Sequence, residues 1–167
     1  MWNSATLPLG FRFEPTDEEL ICYYLARKVS GQTLPSNAVV ECDQVYHVEP
    51  RLLHGANDIA KNGDRKKKMK AEALYFFVQM KKKTENGYRP DRITGDGYWK
   101  ASSGDQKIMV GKKEVGVKKM LSYYIYKDQN RKSSKDGRKT DWVMHEYALS
   151  DPHEQAKKVC FYFYFYY

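Results

Sequence analysis

The spacing of hydrophobic positions changes once along this chain, near residue 73. Before that point Leu20, Ile21, Tyr24, Leu25 and Val29 recur three and four apart, which places them on one stripe of a helix. Thr16 and Glu19 stand at the spacing of a capping box, in which the hydroxyl accepts from an orphan N–H and the carboxylate reaches back to the cap. Asp17, Glu18 and Glu19 suit the positive end of the helix dipole, and Arg27 and Lys28 the negative end. Gly31 is placed to stop the helix. These features predict one amphipathic helix running from about Thr16 to Gly31, after an irregular Leu7–Pro15 lead-in.

Beyond residue 73 the pattern turns to strands. Leu74–Val78, Gly97–Ala101, Val115–Tyr126 and Asp141–Leu149 are rich in β-branched and aromatic residues, and Asn86-Gly87 marks a turn between the first two. Residues 34–60, including Val39-Val40 and Val45–Pro50, read as turns and short helices. Residues 61–70 and the loop from Asp128 to Lys139 contain almost nothing apolar and read as exposed. A helix followed by four or five antiparallel strands defines an α+β class. At the end, Phe161–Tyr167 alternates aromatics with no polar face. As an exposed edge such a run is an aggregation hazard. It is expected to be an atypical low-complexity tail, outside a single domain over residues 1–160.

Composition narrows the class. A chain of 167 residues with 41% hydrophobic and 30% charged residues is long enough for one real core. No run approaches the ~18 apolar residues of a membrane span, and no secretory leader is visible. Cys22, Cys42 and Cys160 are odd in number and widely spaced, and His47, His54, His145 and His153 form no close pair. Reduced thiols and no metal site are therefore expected. No catalytic signature occurs, so the chain reads as a non-enzyme without a cofactor.

The net charge is +8, and its position matters more than its size. Residues 61–140 hold 23 Lys/Arg against 9 Asp/Glu, whereas the flanking segments are mildly acidic at −4 and −2. A concentrated positive belt fits a polyanion, because releasing DNA counterions drives the binding of Lys/Arg-rich surfaces. Charge alone leaves open a solvated basic face or an anionic membrane surface.

Candidate chemistry lies inside that belt, from Arg89 to Asp105. Arg89 and Arg92 flank a proline, then come glycines, Tyr98-Trp99, Lys100, Ala101 and Ser102. A β-edge enters a major groove about 12 Å wide only if its leading side chains are small or base-complementary. On that reading Lys100 meets a phosphate or base edge, Trp99 and Ala101 meet thymine methyls, and Arg89 and Arg92 clamp the flanking backbone. Two plainer readings stand beside it. Trp99 is a core aromatic, because strands bury alternate residues, and the arginines are solvated hairpin charges.

Several blocks, in order, resemble the NAC-domain transcription factors of plants. Leu7–Leu20, then Tyr75-Phe76-Phe77, Asn86–Arg92 and Gly97–Ala101, and finally either Val110–Lys113 or Gly116–Lys119 with Lys139–Tyr147 match the family's motifs over about residues 7–160. The resemblance implies a twisted antiparallel β-sheet packed between an N-terminal helix and short flanking helices, without metal. It implies a nuclear, dimeric transcription regulator that binds double-stranded DNA, inserting the Trp-Lys-Ala strand at a core resembling CGT/ACG. DNA-contacting positions would be Lys83, Arg89, Arg92, Tyr98, Trp99, Lys100, Ala101, Ser102, Lys118, Lys119 and Lys127. The dimer interface, with itself or with other NAC proteins, would involve Leu7, Gly10, Arg12 and Glu19, the last two in ion pairs across the dimer. Glu19 thereby has two competing assignments.

The chain departs from the pattern at four places. Leu74 and Arg51 stand where the family usually has tryptophan, Ser102 where it has threonine, and Ser103 where it has glycine. The chain also stops where members continue into a regulatory tail, which suits the binding half of a regulator. The alternative reading is a dimerising module that sequesters full-length relatives without productive DNA binding.

Overall fold

The computed structural model describes residues 12–34, 39–53, 73–79, 92–128, 130 and 136–151, and the backbone of residues 158–165. Its helix begins as the sequence dictates. Thr16 Oγ1 accepts from the Glu19 N–H at 3.2 Å, and Glu19 Oε2 accepts from the Thr16 N–H at 2.8 Å, completing the capping box. The helix is not uniformly α. A short α1 (Asp17–Glu19) runs into a π-helical segment (Leu20–Leu25) and then α2 (Ala26–Val29). The wider π turn, closed by Ala26 N–H donating to the Ile21 carbonyl, brings Leu20, Ile21 and Leu25 onto one buried face. Gly31, at φ 72°, ends the helix in the left-handed region.

The strands β1 (Val39–Glu41), β2 (Leu74–Gln79), β3 (Gly97–Ala101), β4 (Gln106–Val110), β5 (Lys113–Tyr126), β6 (Gly137–Leu149) and β7 (Lys158–Phe165) form one sheet. Its order is β1-β2-β7-β6-β5-β3, and β4 pairs with β5 farther along the edge that β3 occupies. The fold is α+β, as expected. The described residues hold seven strands rather than four or five, and β1 runs parallel to β2. Two of the extra strands have simple causes. Val39-Val40, expected among turns, pairs with Tyr75-Phe76, and Gln106–Val110 folds back on β5 through Gly111 at φ 59°. That positive φ is where glycine is most at ease in a tight hairpin loop.

Each face of the sheet has its own cover. On one face the helix buries Leu20, Ile21 and Leu25 against Tyr75, Phe77, Ile108, Tyr147 and Leu149. On the other, residues of the 42–53 segment, led by Val45 and Tyr46, close over Phe76, Val78, Trp99, Leu121, Tyr123 and Met144. That segment holds turns at 43–47 and helical residues at 50–53, as expected of it. β2 therefore buries both faces, which explains its continuous apolar run.

The backbone of β7 changes the picture of the C-terminal aromatics. It pairs with β2 from Leu74↔Phe163 to Gln79↔Lys158, and with β6 from Trp142↔Phe165 to Tyr147↔Cys160. Residues 161–163 thus lie between two strands rather than at an exposed edge, Tyr164 and Phe165 pair with β6, and the strand crosses the expected boundary at residue 160. Its position between two neighbours supplies partners to both sides of the backbone, so the edge hazard does not arise there.

Candidate nucleic-acid interface

β3 is an edge strand launched by a tight hairpin. The Trp99 N–H donates to the Arg92 carbonyl at 2.8 Å and the Thr94 N–H to the Gly97 carbonyl at 2.9 Å, with a bridge between Ile93 and Tyr98. Thr94, buried, ties the loop together. Its Oγ1 accepts from the Gly97 N–H at 3.0 Å and shares a 2.5 Å hydrogen bond with the Tyr123 hydroxyl. Gly97 is required here, because a Cβ would meet the Tyr124 carbonyl and, at 2.8 Å, the Tyr123 ring.

Alternation along β3 sends side chains to both faces, and the residues before Lys100 are covered on both. Trp99 is 3% exposed and packs on Tyr123 with ring centroids 5.1 Å apart. Tyr98 is 6% exposed and stacks on Tyr124 at 5.4 Å with the planes 11° apart. Gly137 on β6 must lack a side chain, since a Cβ there would run into the Tyr98 hydroxyl. Both rings are packed into the fold, as the plainer reading of Trp99 expects of a core aromatic. Lys100, Ala101 and Ser102 are exposed. Lys100 Nζ lies 5.8 Å from the Tyr124 ring centroid, a cation–π distance that props the ammonium outward over an aromatic floor. Ser102 Oγ donates to the Met120 carbonyl at 3.3 Å and accepts from Ser122 Oγ at 3.1 Å, so the substituted serine anchors the end of the strand.

The other expected phosphate contacts are distributed differently. Arg92 donates through Nη2 to Glu146 Oε2 at 2.6 Å, with the two side chains only 15% and 12% exposed. It is therefore held inside the fold, because a desolvated guanidinium needs its carboxylate. Lys118 is likewise engaged by Asp17, with an 18% exposed side chain. Lys119 meets Asp105 at 3.1 Å, and Lys127 meets Asp136 at 2.8 Å on an exposed stretch. Pairs of the latter kind are weak enough to exchange for a phosphate. Lys83 and Arg89 lie outside the described residues, as do Leu7 and Gly10 of the expected dimer interface. Arg12 is 59% exposed at 3.9 Å from Glu14, and Glu19 is exposed although its capping bond is made.

Two basic residues at the same end of the sheet were not singled out from sequence. Tyr98, Tyr124 and Lys139 stand abreast on β3, β5 and β6, and Arg138 lies abreast of Ile125. Arg138 and Lys139 are exposed and, with Thr140, Asp141 and Trp142, line a cleft of about 340 Å³. Their signal in the sequence was the Gly137-Arg138-Lys139 run before a strand, which is indistinguishable from an ordinary basic loop until the register is known. Among the described residues there is no group of three or more His, Cys, Asp or Glu able to hold a metal, and no helix long and apolar enough to cross a membrane.

The structure thus describes a sheet domain whose edge presents a short basic and small-residue strand. Residues 8–149 match the family model described as No apical meristem (NAM) protein, and the chain belongs to that family of plant NAC proteins. It is 42% identical over 156 residues to "NAC domain-containing protein 2" of Solanum lycopersicum, covering 93% of this chain and 50% of the relative. It is 38% identical over 156 residues to "NAC transcription factor 29" of Arabidopsis thaliana, covering 93% and 52%. It is 41% identical over 152 residues to "NAC transcription factor 32" of Arabidopsis thaliana, covering 90% and 53%. The chain therefore spans about half the length of these curated relatives.

Proposed function

We propose that this chain is a nuclear, double-stranded-DNA-binding module of a transcription regulator, and that it works as a dimer. The edge of β3 enters the major groove with Lys100, Ala101 and Ser102 leading. Lys100 carries the reading. It is an exposed cation at the one stretch of β3 whose side chains are not consumed by the core, and among the described residues it has no acidic partner. Trp99 and Tyr98 hold that stretch rigid, and rigidity limits the ordering cost on binding. Arg138 and Lys139 sit where backbone phosphates would flank such a strand. The positive belt over residues 61–140 supplies the sequence-independent attraction. Arg12 and Glu19, both exposed near the start of the helix, pair with their counterparts in a second copy or in another NAC protein.

A competition gel shift with a palindromic duplex bearing family-type half-sites, titrated with salt, tests this. Affinity is expected to fall with log salt at a slope of about −0.9 per phosphate neutralised. Lys100→Ala is expected to cost about 1–3 kcal/mol on the palindrome. Equal affinity for palindrome and random duplex would overturn specific recognition.

A further inference from the structure

The pair of Arg92 and Glu146 has a geometry that a surface DNA clamp does not need. Arg92 lies where the hairpin enters β3, and its carbonyl accepts from Trp99, the residue just before Lys100. Its guanidinium reaches over β5 to Glu146 on β6, the register partner of Lys119. The bond therefore spans three strands and ties the free edge to the middle of the sheet. Tyr46 closes the site from the 42–53 segment, with the Arg92 guanidinium carbon 5.9 Å from its ring centroid. Burial pushes the Tyr46 hydroxyl well above the usual phenol range, Glu146 pushes it further and Arg92 opposes it, so the phenol stays neutral beside the pair. Arg92 Nε is itself buried. Without this tie, the hairpin arm that leads into β3 loses its side-chain link to β6.

We propose that Arg92 is a positioning residue. With Glu146 it fixes the pitch of the reading strand against the sheet, and it contacts no phosphate. This rests on the DNA-binding reading above for its consequence, but the mechanical part stands on the fold alone.

The test uses the full chain with Arg92→Lys, Arg92→Met, Glu146→Gln and the exchanged pair Arg92→Glu/Glu146→Arg. Each is measured on palindromic and random duplexes across a salt series, and by amide hydrogen exchange without DNA. Removing a carboxylate from a DNA-binding protein ordinarily strengthens binding, because less repulsion opposes the phosphates. Here Glu146→Gln is expected to weaken palindrome binding on the order of tenfold, with random-duplex affinity and salt slope unchanged. Arg92→Lys, which keeps the charge but loses the planar fork, is expected to behave alike. The exchanged pair is expected to recover part of the loss. In hydrogen exchange the amides of residues 97–101 lose protection while those shared by β5 and β6 keep theirs.

Three results overturn the proposal. One is a salt slope shallower by about 0.9 in Arg92→Met with both duplexes weakened equally, which marks a phosphate contact. Another is a Glu146→Gln protein that binds the palindrome as well as the parent. The third is loss of protection throughout the sheet, or failure of the variants to fold, which makes the pair a general stabiliser. If the parent chain itself shows no preference for the palindrome, the DNA reading fails while the exchange pattern still decides the mechanical claim.

Discussion

Lys118 on β5 grips Asp17 at the first turn of the helix through both carboxylate oxygens, with Nζ 3.1 Å from Oδ1 and 3.0 Å from Oδ2. The Tyr147 hydroxyl donates to the same Oδ1 at 2.6 Å. One carboxylate thus fastens the start of the helix to two strands of the sheet. Asp17→Asn keeps the shape but leaves the largely covered ammonium with a neutral partner, and is expected to cost about 1–3 kcal/mol in urea unfolding. A loss below a few tenths would mean that Lys118 finds solvent instead.

Next to that cluster sits His145. Its pKa is lowered to about 4, first by burial and then by Lys118, with Asp17 opposing. Between about pH 6.5 and 4 the unfolded chain binds the proton and the folded chain does not, so stability falls as pH drops through that window. Above it the residue is neutral in both states and contributes no slope. Denaturant midpoints at pH 7 and pH 5, compared with those of His145→Gln, check this; the variant is expected to lose part of the acid sensitivity.

Gly137 faces Tyr98 so closely that a methyl group has no room. Gly137→Ala is expected to displace the Tyr98–Tyr124 stack and cost about 1–3 kcal/mol, by the same logic as any overpacked core. Because that stack supports Lys100, palindrome binding is expected to weaken alongside the melting temperature. The double variant Gly137→Ala/Tyr98→Phe, which removes the clashing hydroxyl, is expected to recover part of both.

Glu19 has an observed role in the cap and a proposed one across a dimer, and one substitution separates them. Its carboxylate completes the capping box, and glutamine at that position caps as well. Glu19→Gln is therefore expected to leave the melting temperature within a degree or two while weakening self-association in sedimentation, if its charge pairs across the dimer. Thr16→Ala provides the converse, costing about 1 kcal/mol of stability through the lost cap with self-association retained.

Local physics makes much of this molecule legible in its sequence. Capping residues, the apolar stripe and a terminal glycine determined the helix from Thr16 to Gly31, because each acts over one or two turns. Runs rich in β-branched and aromatic residues pointed to β2, β3, β5 and β6, and the positive belt with the Gly97–Ala101 motif pointed to the β3 edge. Even there the π turn at Leu20–Leu25 was hidden, since a widened turn keeps nearly the same apolar residues inward.

Tertiary structure decided what pairing and covering decide. A strand's sequence says that its side chains alternate, not which face another segment will close over. Residues 42–53 bury Trp99 and enclose Arg92, and the Tyr98–Tyr124 stack with Gly137 seals the opposite side. Lys100, Ala101 and Ser102, at the end of β3, are left to solvent. Likewise the aromatic run from Phe161 reads as a hazard only if its strand is an edge; the insertion of β7 between β2 and β6 makes residues 161–163 interior. Neighbours brought from far along the chain set these outcomes, and that is why residue types and their spacing alone could not.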